Sequence, residues 1–288
     1  ITDGWKPFLW GIIFYCLPRI MLIVFTNNIL YVKIQAMINE NDVNGRILYE
    51  DDDHKFIWLG VDDVDSSDEI QTMQYLIIDH NRGVLLDPGG VHIFAHVVSA
   101  VSRYISLDNI DVIFYSHQDP DVSSGIAMWL GITKAQIHIS SLWVRFLPHF
   151  GIVDSKRIVP IPDDGSTIKI SENAELQCIP AHFMHSPGNF NLYDPKSKIL
   201  FSGDIGAAVF DEGKEYVFVE DFAQHVPLIE GFHKRYMASN SIVKKWCERV
   251  RAINPKIIAP QHGALYAGES ITEFLNWLSN LKCGVDLM

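Results

Sequence analysis

The chain has 288 residues, with 23 Lys and Arg against 35 Asp and Glu and a formal net charge of −12. No basic run or Arg-rich helix is present that could neutralise phosphates along a duplex, so nucleic acid is excluded as an expected partner. The length suits one large α/β domain, and the four cysteines, Cys16, Cys178, Cys247 and Cys283, form no CxxC pair, which fits a reducing, cytoplasmic setting.

Residues 8–25 are almost continuously apolar, broken in the middle by Pro18 and Arg19. A spanning helix needs about 20 apolar residues, and an arginine at its centre is costly. The segment reads as an interrupted signal-like or interfacial segment, a gene-start artefact, a membrane anchor, or a strand and helix packed on the domain. Membrane association through residues 8–25 is therefore the alternative to a cytoplasmic location. Residues 1–54 are taken as an N-terminal hydrophobic segment and lead-in, and residues 55–288 as the domain. The acidic runs at 50–53 and 62–69 read as solvated loop faces.

From residue 55 the pattern becomes regular. Residues 56–61, 73–79 and 83–87 are short β-rich runs bounded by turn residues and read as consecutive antiparallel strands. Helical spacing follows over 92–105, then a continuous apolar strand at 110–115 that ends at Ser116-His117, buried on both faces. A helix is expected at 123–130, a strand at 136–139 and a second helix near 142–147. A second β series comprises 165–170, 174–180, 189–193 and 198–201, with Cys178 as a buried core residue. One long helical pattern runs from 232 to 253, a strand is expected at 257–260, and a terminal helix at 272–281. Two β series, each followed by helices, imply an α/β sandwich of two sheets with helices outside.

Chemistry concentrates at strand exits. In His117-Gln118-Asp119-Pro120-Asp121 a ligand-type side chain falls at every second position. Extended chain turns alternate side chains the same way, and Pro120 favours an extended residue before it. Asp121 could equally cap the following helix. His185, Asp204 and His262 each follow a short apolar run and are flanked by small or turn-forming residues. Three imidazoles and three carboxylates without a thiol make a hard donor set that suits iron first, with zinc or manganese as alternatives.

These segments resemble the metallo-β-lactamase superfamily and, within it, the diiron domain of flavodiiron proteins, over roughly residues 55–283. The family's first motif is His-x-Glu-x-Asp-His; here it reads His117-x-Asp119-x-Asp121, with Val122 where the second histidine stands. The later motifs are similar to Met184-His185-Ser186-Pro187, Phe201-Ser202-Gly203-Asp204 and Ala259-Pro260-Gln261-His262-Gly263. The resemblance implies a metallo-β-lactamase αββα sandwich. It also implies two metal ions, one on His117, Asp119 and His185, the other on Asp121 and His262, with Asp204 bridging. Asp119 is one methylene shorter than the family's Glu, and Val122 removes an imidazole from the second ion; Tyr193, Tyr266 or His182 are candidates to fill that gap.

No Gly-rich flavin loop is visible, so no flavin is expected in this chain, and the likeness runs toward the stand-alone oxygen-binding diiron proteins. The implied function is dioxygen binding as a sensor or carrier, with His182 and Asn189 as supporting groups. Reduction of oxygen or nitric oxide with an external redox partner is a second implied function, and a metal-dependent hydrolase or a metal-free binding module are the readings outside it. The same likeness implies a homodimer and, for a sensor, a signalling protein as receiver. Phe232, Tyr236, Trp246 and Trp277 are expected to pack helices.

Overall fold

The computed structural model describes residues 13–17, 20–25, 28–33, 45–61, 71–211 and 214–288. The chain divides into two compact units, Ile1–Met37 and Ile38–Met288. In the first, strands β1 (Ile13–Leu17), β2 (Ile20–Phe25) and β3 (Asn28–Lys33) pair antiparallel in sequence order. Among the described residues no helix is long and apolar enough to cross a membrane. Pro18, Arg19 and the acidic run at 62–69 lie outside the described residues.

The second unit carries two mixed sheets. Strands β4 (Arg46–Glu50), β5 (His54–Val61), β6 (Met73–Asp79) and β7 (Arg82–Leu86) form an antiparallel meander. Helix α1 (Phe94–Ser102) then returns the chain so that β8 (Ile110–Phe114) lies parallel to β7. Parallel pairing requires such a crossover. Helices α2 (Pro120–Ser123) and α3 (Ile126–Ile132) lead to β9 (Gln136–Ser140), and β10 (Ile158–Ile161) completes the seven-stranded sheet. The other sheet begins with the antiparallel series β11 (Ser166–Lys169), β12 (Glu175–Pro180), β13 (Phe190–Asp194) and β14 (Ile199–Gly203). Helices α4 (Phe222–Tyr236) and α5 (Asn240–Ile253) cross over to β15 (Ile257–Pro260), parallel to β14. Strand β16 (Tyr266–Ala267) and helix α6 (Glu269–Ser279) follow.

The two-residue period of the strands sorts side chains into layers. On β6, Met73, Tyr75 and Ile77 face Leu176, Leu192 and Phe201 of the other sheet. Leu76 and Ile78, one residue out of phase, pack with Val97 and Val101 of α1. The outer face of the second sheet is covered by Val243, Trp246, Cys247 and Val250 of α5 and Phe274 and Leu278 of α6. Each such fully buried large apolar side chain contributes about 1.5–3 kcal/mol. Three apolar layers around two sheets give the order helix, sheet, sheet, helix.

The long helix expected over 232–253 is two helices. Met237 and Ala238 leave the helical path because they pair with the 183–184 loop: Met184 bridges Met237, and the Ala238 N–H donates to the Phe183 carbonyl at 3.2 Å. Tertiary pairing overrides the local period. The helix expected near 142–147 is a 3-10 segment, Val144–Phe150, that ends at Gly151 in the left-handed region. Strand β4 lies within the segment read as lead-in and pairs along β5.

Candidate metal centre

All six ligand-type residues stand where strands or their exits deliver them. His117 lies three residues past β8, and Asp119 and Asp121 follow on either side of Pro120 at the start of α2. Asp119 has extended backbone and occupies the N-cap position without making a side-chain cap bond, so its carboxylate stays available. His185 lies in the β12–β13 connection, Asp204 immediately after β14, and His262 two residues past β15. One donor atom each from His117, Asp119, His185 and Asp204 can be chosen so that all lie within 4.8 Å of one another. Asp119 Oδ2 is 2.8 Å from His185 Nε2 and 3.6 Å from His117 Nε2.

The Asp204 carboxylate divides its oxygens between two groups. Its Oδ2 lies 3.5 Å from His185 Nε2 and 3.7 Å from His117 Nε2, while its Oδ1 lies 3.5 Å from His262 Nε2. His262 Nε2 is in turn 3.3 Å from Asp121 Oδ2. The arrangement is two adjoining half-sites sharing one carboxylate. His117 Nε2 and Asp204 Oδ1 are buried and have no hydrogen-bond partner. Leaving such atoms unsatisfied costs about 1–3 kcal/mol each, and a cation on each side of Asp204 would satisfy them. The donor set therefore fits a metal pair.

Neighbours orient the donors. The Ser116 hydroxyl donates to Asp87 Oδ2, and the Ser116 N–H donates to Asp87 Oδ1 at 2.7 Å. With its only proton directed there, Ser116 Oγ accepts from His117 Nδ1–H at 2.8 Å. In the neutral ring that a metal ion would select, this assignment leaves the Nε2 lone pair facing the site, the usual way in which a ligand imidazole is held. His262 donates from Nδ1 to the Gln71 carbonyl at 3.0 Å, with the same result. Gln118 donates to Asp119 Oδ1 at 2.9 Å and accepts from the Ser186 hydroxyl at 2.7 Å, tying the first ligand loop to the His185 loop. His185 itself has φ of 69° and Phe183 has φ of 64°. Such left-handed backbone costs a non-glycine residue about 1–3 kcal/mol and persists where the surroundings enforce it. Asn189 helps to do so, donating to the Met184 carbonyl at 2.7 Å.

The electrostatics match this crowding of opposite charge. Burial pushes the His117 imidazole down, but Asp204 foremost, with Asp119 and Asp87, lifts it to about 9. Burial acts the same way on His262, and Asp204 and Asp121 together raise it to about 10. Burial would raise the Asp204 carboxyl, yet His117, His262 and His185 hold it below the ordinary carboxylate range. Asp119 is likewise held low, against burial, by His117 and His185. In the metal-free protein the imidazoles act as stand-in cations.

A cleft of about 520 Å³ opens onto these residues, lined by His92, Asp119, Asp121, His185, Asp204 and His262 among others. Phe232 and Tyr236 of α4 also line it, their rings 5.4 and 5.1 Å from the His185 ring. They wall His185, a role beyond the helix packing expected for them. Trp246 donates to Asn191 and Trp277 stacks on Phe274, within the helical layer. His182 makes its bond to the Asp163 carbonyl. Sequence reasoning missed Asp87, Ser116 and Gln118. Asp87 follows β7 directly, so the strand-exit rule that pointed to the six ligand-type residues could have found it.

Two mixed sheets flanked by helices, with the donors at strand exits, define a metallo-β-lactamase-fold metalloprotein. A family model described as "ODP family beta lactamase" matches residues 70–263. The chain belongs to that family. It is 65% identical to the solved structure of a peroxy diiron species of the chemotaxis sensor ODP, over 85% of this chain and 97% of that one, with a TM-score of 0.76. It is 66% identical to an apo state of chemotaxis sensor ODP from T. denticola, over 84% and 96%, with a TM-score of 0.75. The rubredoxin oxygen:oxidoreductase of Desulfovibrio gigas shares the fold at 17% identity and a TM-score of 0.69, over 78% of this chain and 59% of that one. An uncharacterised protein, MJ0732, of Methanocaldococcus jannaschii is 24% identical over 72% of this chain, which spans about half of that relative, 52%.

Proposed function

We propose that the chain is a non-heme diiron sensor that binds dioxygen. His117, Asp119 and His185 hold one iron, Asp121 and His262 the other, and Asp204 bridges them. The observation that carries this reading is the Asp204 carboxylate, whose two oxygens face two separate imidazole groups. The near full-length likeness to the chemotaxis sensor ODP supports it. Two ferrous ions can each supply one electron, which suits dioxygen binding without an outside donor. The chain's residues supply the rest: Ser116 and Asp87 fix the His117 tautomer, Gln118 aims Asp119, and Phe232 and Tyr236 shield His185.

Within this reading the receiver of the signal is a separate signalling protein, the working form is a homodimer, and the setting is the cytoplasm, where thiols stay reduced. Cys178, Cys247 and Cys283 are buried free thiols, and burial pushes them up to about 11, 12 and 11. They are unreactive core groups.

The test is metal analysis of anaerobically purified, iron-replete protein together with its visible spectrum before and after air. About two irons per chain and a new absorption band on oxygenation are expected. Stoichiometric zinc with no spectral change would overturn the reading in favour of a metal-dependent hydrolase.

A further inference from the structure

The two half-sites are unequally furnished. Among the described residues, the first has His117, Asp119, His185 and Asp204 Oδ2, and the second has His262, Asp121 and Asp204 Oδ1. Val122, where the related motif carries a histidine, is fully buried in the apolar layer with Val97, Ile126 and Trp129, and offers no donor. The residues that sequence alone suggested as substitutes do not line the cleft. Tyr193 donates to the Ile253 carbonyl, Tyr266 donates to the Gly206 carbonyl, and His182 bonds the Asp163 carbonyl.

Six His and Asp side chains line the cleft over the site, and five of them are the ligands already described; the sixth is His92. It stands on the loop after β7, and that loop is packed on the segment carrying Asp121. The Val91 N–H donates to Ser124 Oγ at 3.2 Å, and Ser124 lies three residues past Asp121, on the same helical face. A Cβ placed on Gly90 would come to 3.0 Å from His92 Nδ1 and 3.1 Å from Ser124 Oγ. The bare face of Gly90 therefore leaves room for the His92 ring near Ser124, and both residues line the cleft with Asp121. A Cβ on Gly125 would reach the Gly89 carbonyl at 2.9 Å, so the loop and the helix start are in close register.

We propose that His92 is a protein ligand of the second metal ion, supplying from the β7–α1 loop the imidazole that position 122 lacks. The proposal rests on the two-metal reading above. Neutral imidazole suits ferrous iron and zinc alike. With His92 the second ion has two nitrogens and two carboxylates, matching the first.

The experiment is anaerobic calorimetric titration of the metal-free chain with Zn(II), comparing the unaltered protein, His92→Ala and the neighbouring control Val91→Ala. Thermal melts of each variant verify folding; both positions are exposed. The unaltered chain and Val91→Ala are expected to take up two equivalents. His92→Ala keeps the first equivalent and binds the second at least about tenfold more weakly, the scale on which metal-site partners act. Repeating the titration with Co(II) adds a spectrum, and the band of the second equivalent is expected to change in His92→Ala alone. Two equivalents of unchanged affinity and an unchanged cobalt spectrum in His92→Ala overturn the role of His92 while leaving the two-metal reading intact. A single equivalent in the unaltered chain overturns both.

Discussion

His54 on the first sheet and Asp194 on the second are joined by a buried 2.8 Å contact, and the other ring nitrogen of His54 lies 2.9 Å from Asp79. An imidazole between two carboxylates donates from both nitrogens and is therefore cationic. Lys196 lies 3.3 Å from the same Asp79, and His80 Nδ1 is 2.9 Å from its other oxygen. This clamp is one strand length from the metal centre: β7 runs from beside Asp79 to Asp87, five residues or about 17 Å.

The clamp gives stability a defined pH window. Burial pulls the His54 pKa down, but Asp194 and Asp79 outweigh it and raise it. Its contribution is complete below the unfolded value of about 6.5 and is lost as pH rises through the higher folded value. Burial would raise Asp79, yet its hydrogen bonds lower it; its contribution is present above about 3.9 and lost as pH falls through the folded value. Urea unfolding across pH should show both flanks in the unaltered protein. His54→Ala, which leaves two buried carboxylates without their shared cation, should cost about 3–5 kcal/mol and shrink the alkaline flank, which His117 and His262 also feed in the metal-free protein.

The shared carboxylate predicts unequal losses of metal. Asp204→Ala should release both ions, Asp119→Ala the first preferentially and Asp121→Ala the second. Metal per chain after dialysis, with a melt of each variant, reads this directly. Equal losses in all three would contradict two half-sites joined at Asp204.

Ser116→Ala severs the link between His117 Nδ1 and Asp87 while leaving every ligand in place. Metal affinity should fall about 10–100-fold. Burial pushes the Asp87 carboxyl up to about 7 although His117 and Ser116 pull it down. An affinity within twofold of the unaltered protein would show that Ser116 is merely packing.

Gly203 precedes Asp204, has φ of +55°, and a Cβ there would lie 2.9 Å from Ser116 Oγ. Gly203→Ala should destabilise the fold by more than about 1 kcal/mol and weaken metal binding together. Gly131 is helical and an added Cβ meets nothing within 4 Å, so Gly131→Ala should stabilise by up to about 1 kcal/mol with metal uptake unchanged. Thermal melts and zinc titrations of the pair separate backbone strain from the site.

The sandwich was legible because apolar runs of five or six residues between turn residues have few alternatives, and the strand exits pointed to all six ligand-type residues. What stayed hidden depends on contacts between distant segments. The Ser116–Asp87 pairing joins β7 to β8, and His54, within the acidic lead-in, is registered opposite Asp79 across β5 and β6 and meets Asp194 only across the two packed sheets. The run at 50–53, read as a solvated face, includes Asp51, which accepts from Tyr49 and the His54 N–H. The break between α4 and α5 was hidden because residues 232–253 keep a helical period across it, and the pairing of Met237 and Ala238 with the 183–184 loop interrupts it.

That break reaches further than helix geometry. The Phe183 carbonyl accepts from Ala238, and the Ala238 carbonyl accepts from the Val285 N–H at 3.0 Å. A ligand loop in strained backbone, an interhelical joint and the last residues of the chain are thus consecutive members of one hydrogen-bonded series. Tension applied at His185 has a mechanical outlet: the amide hydrogens of Ala238 and Val285 should exchange with solvent at different rates in metal-loaded and metal-free protein, while those of β6, at the centre of the sandwich, keep the same rate.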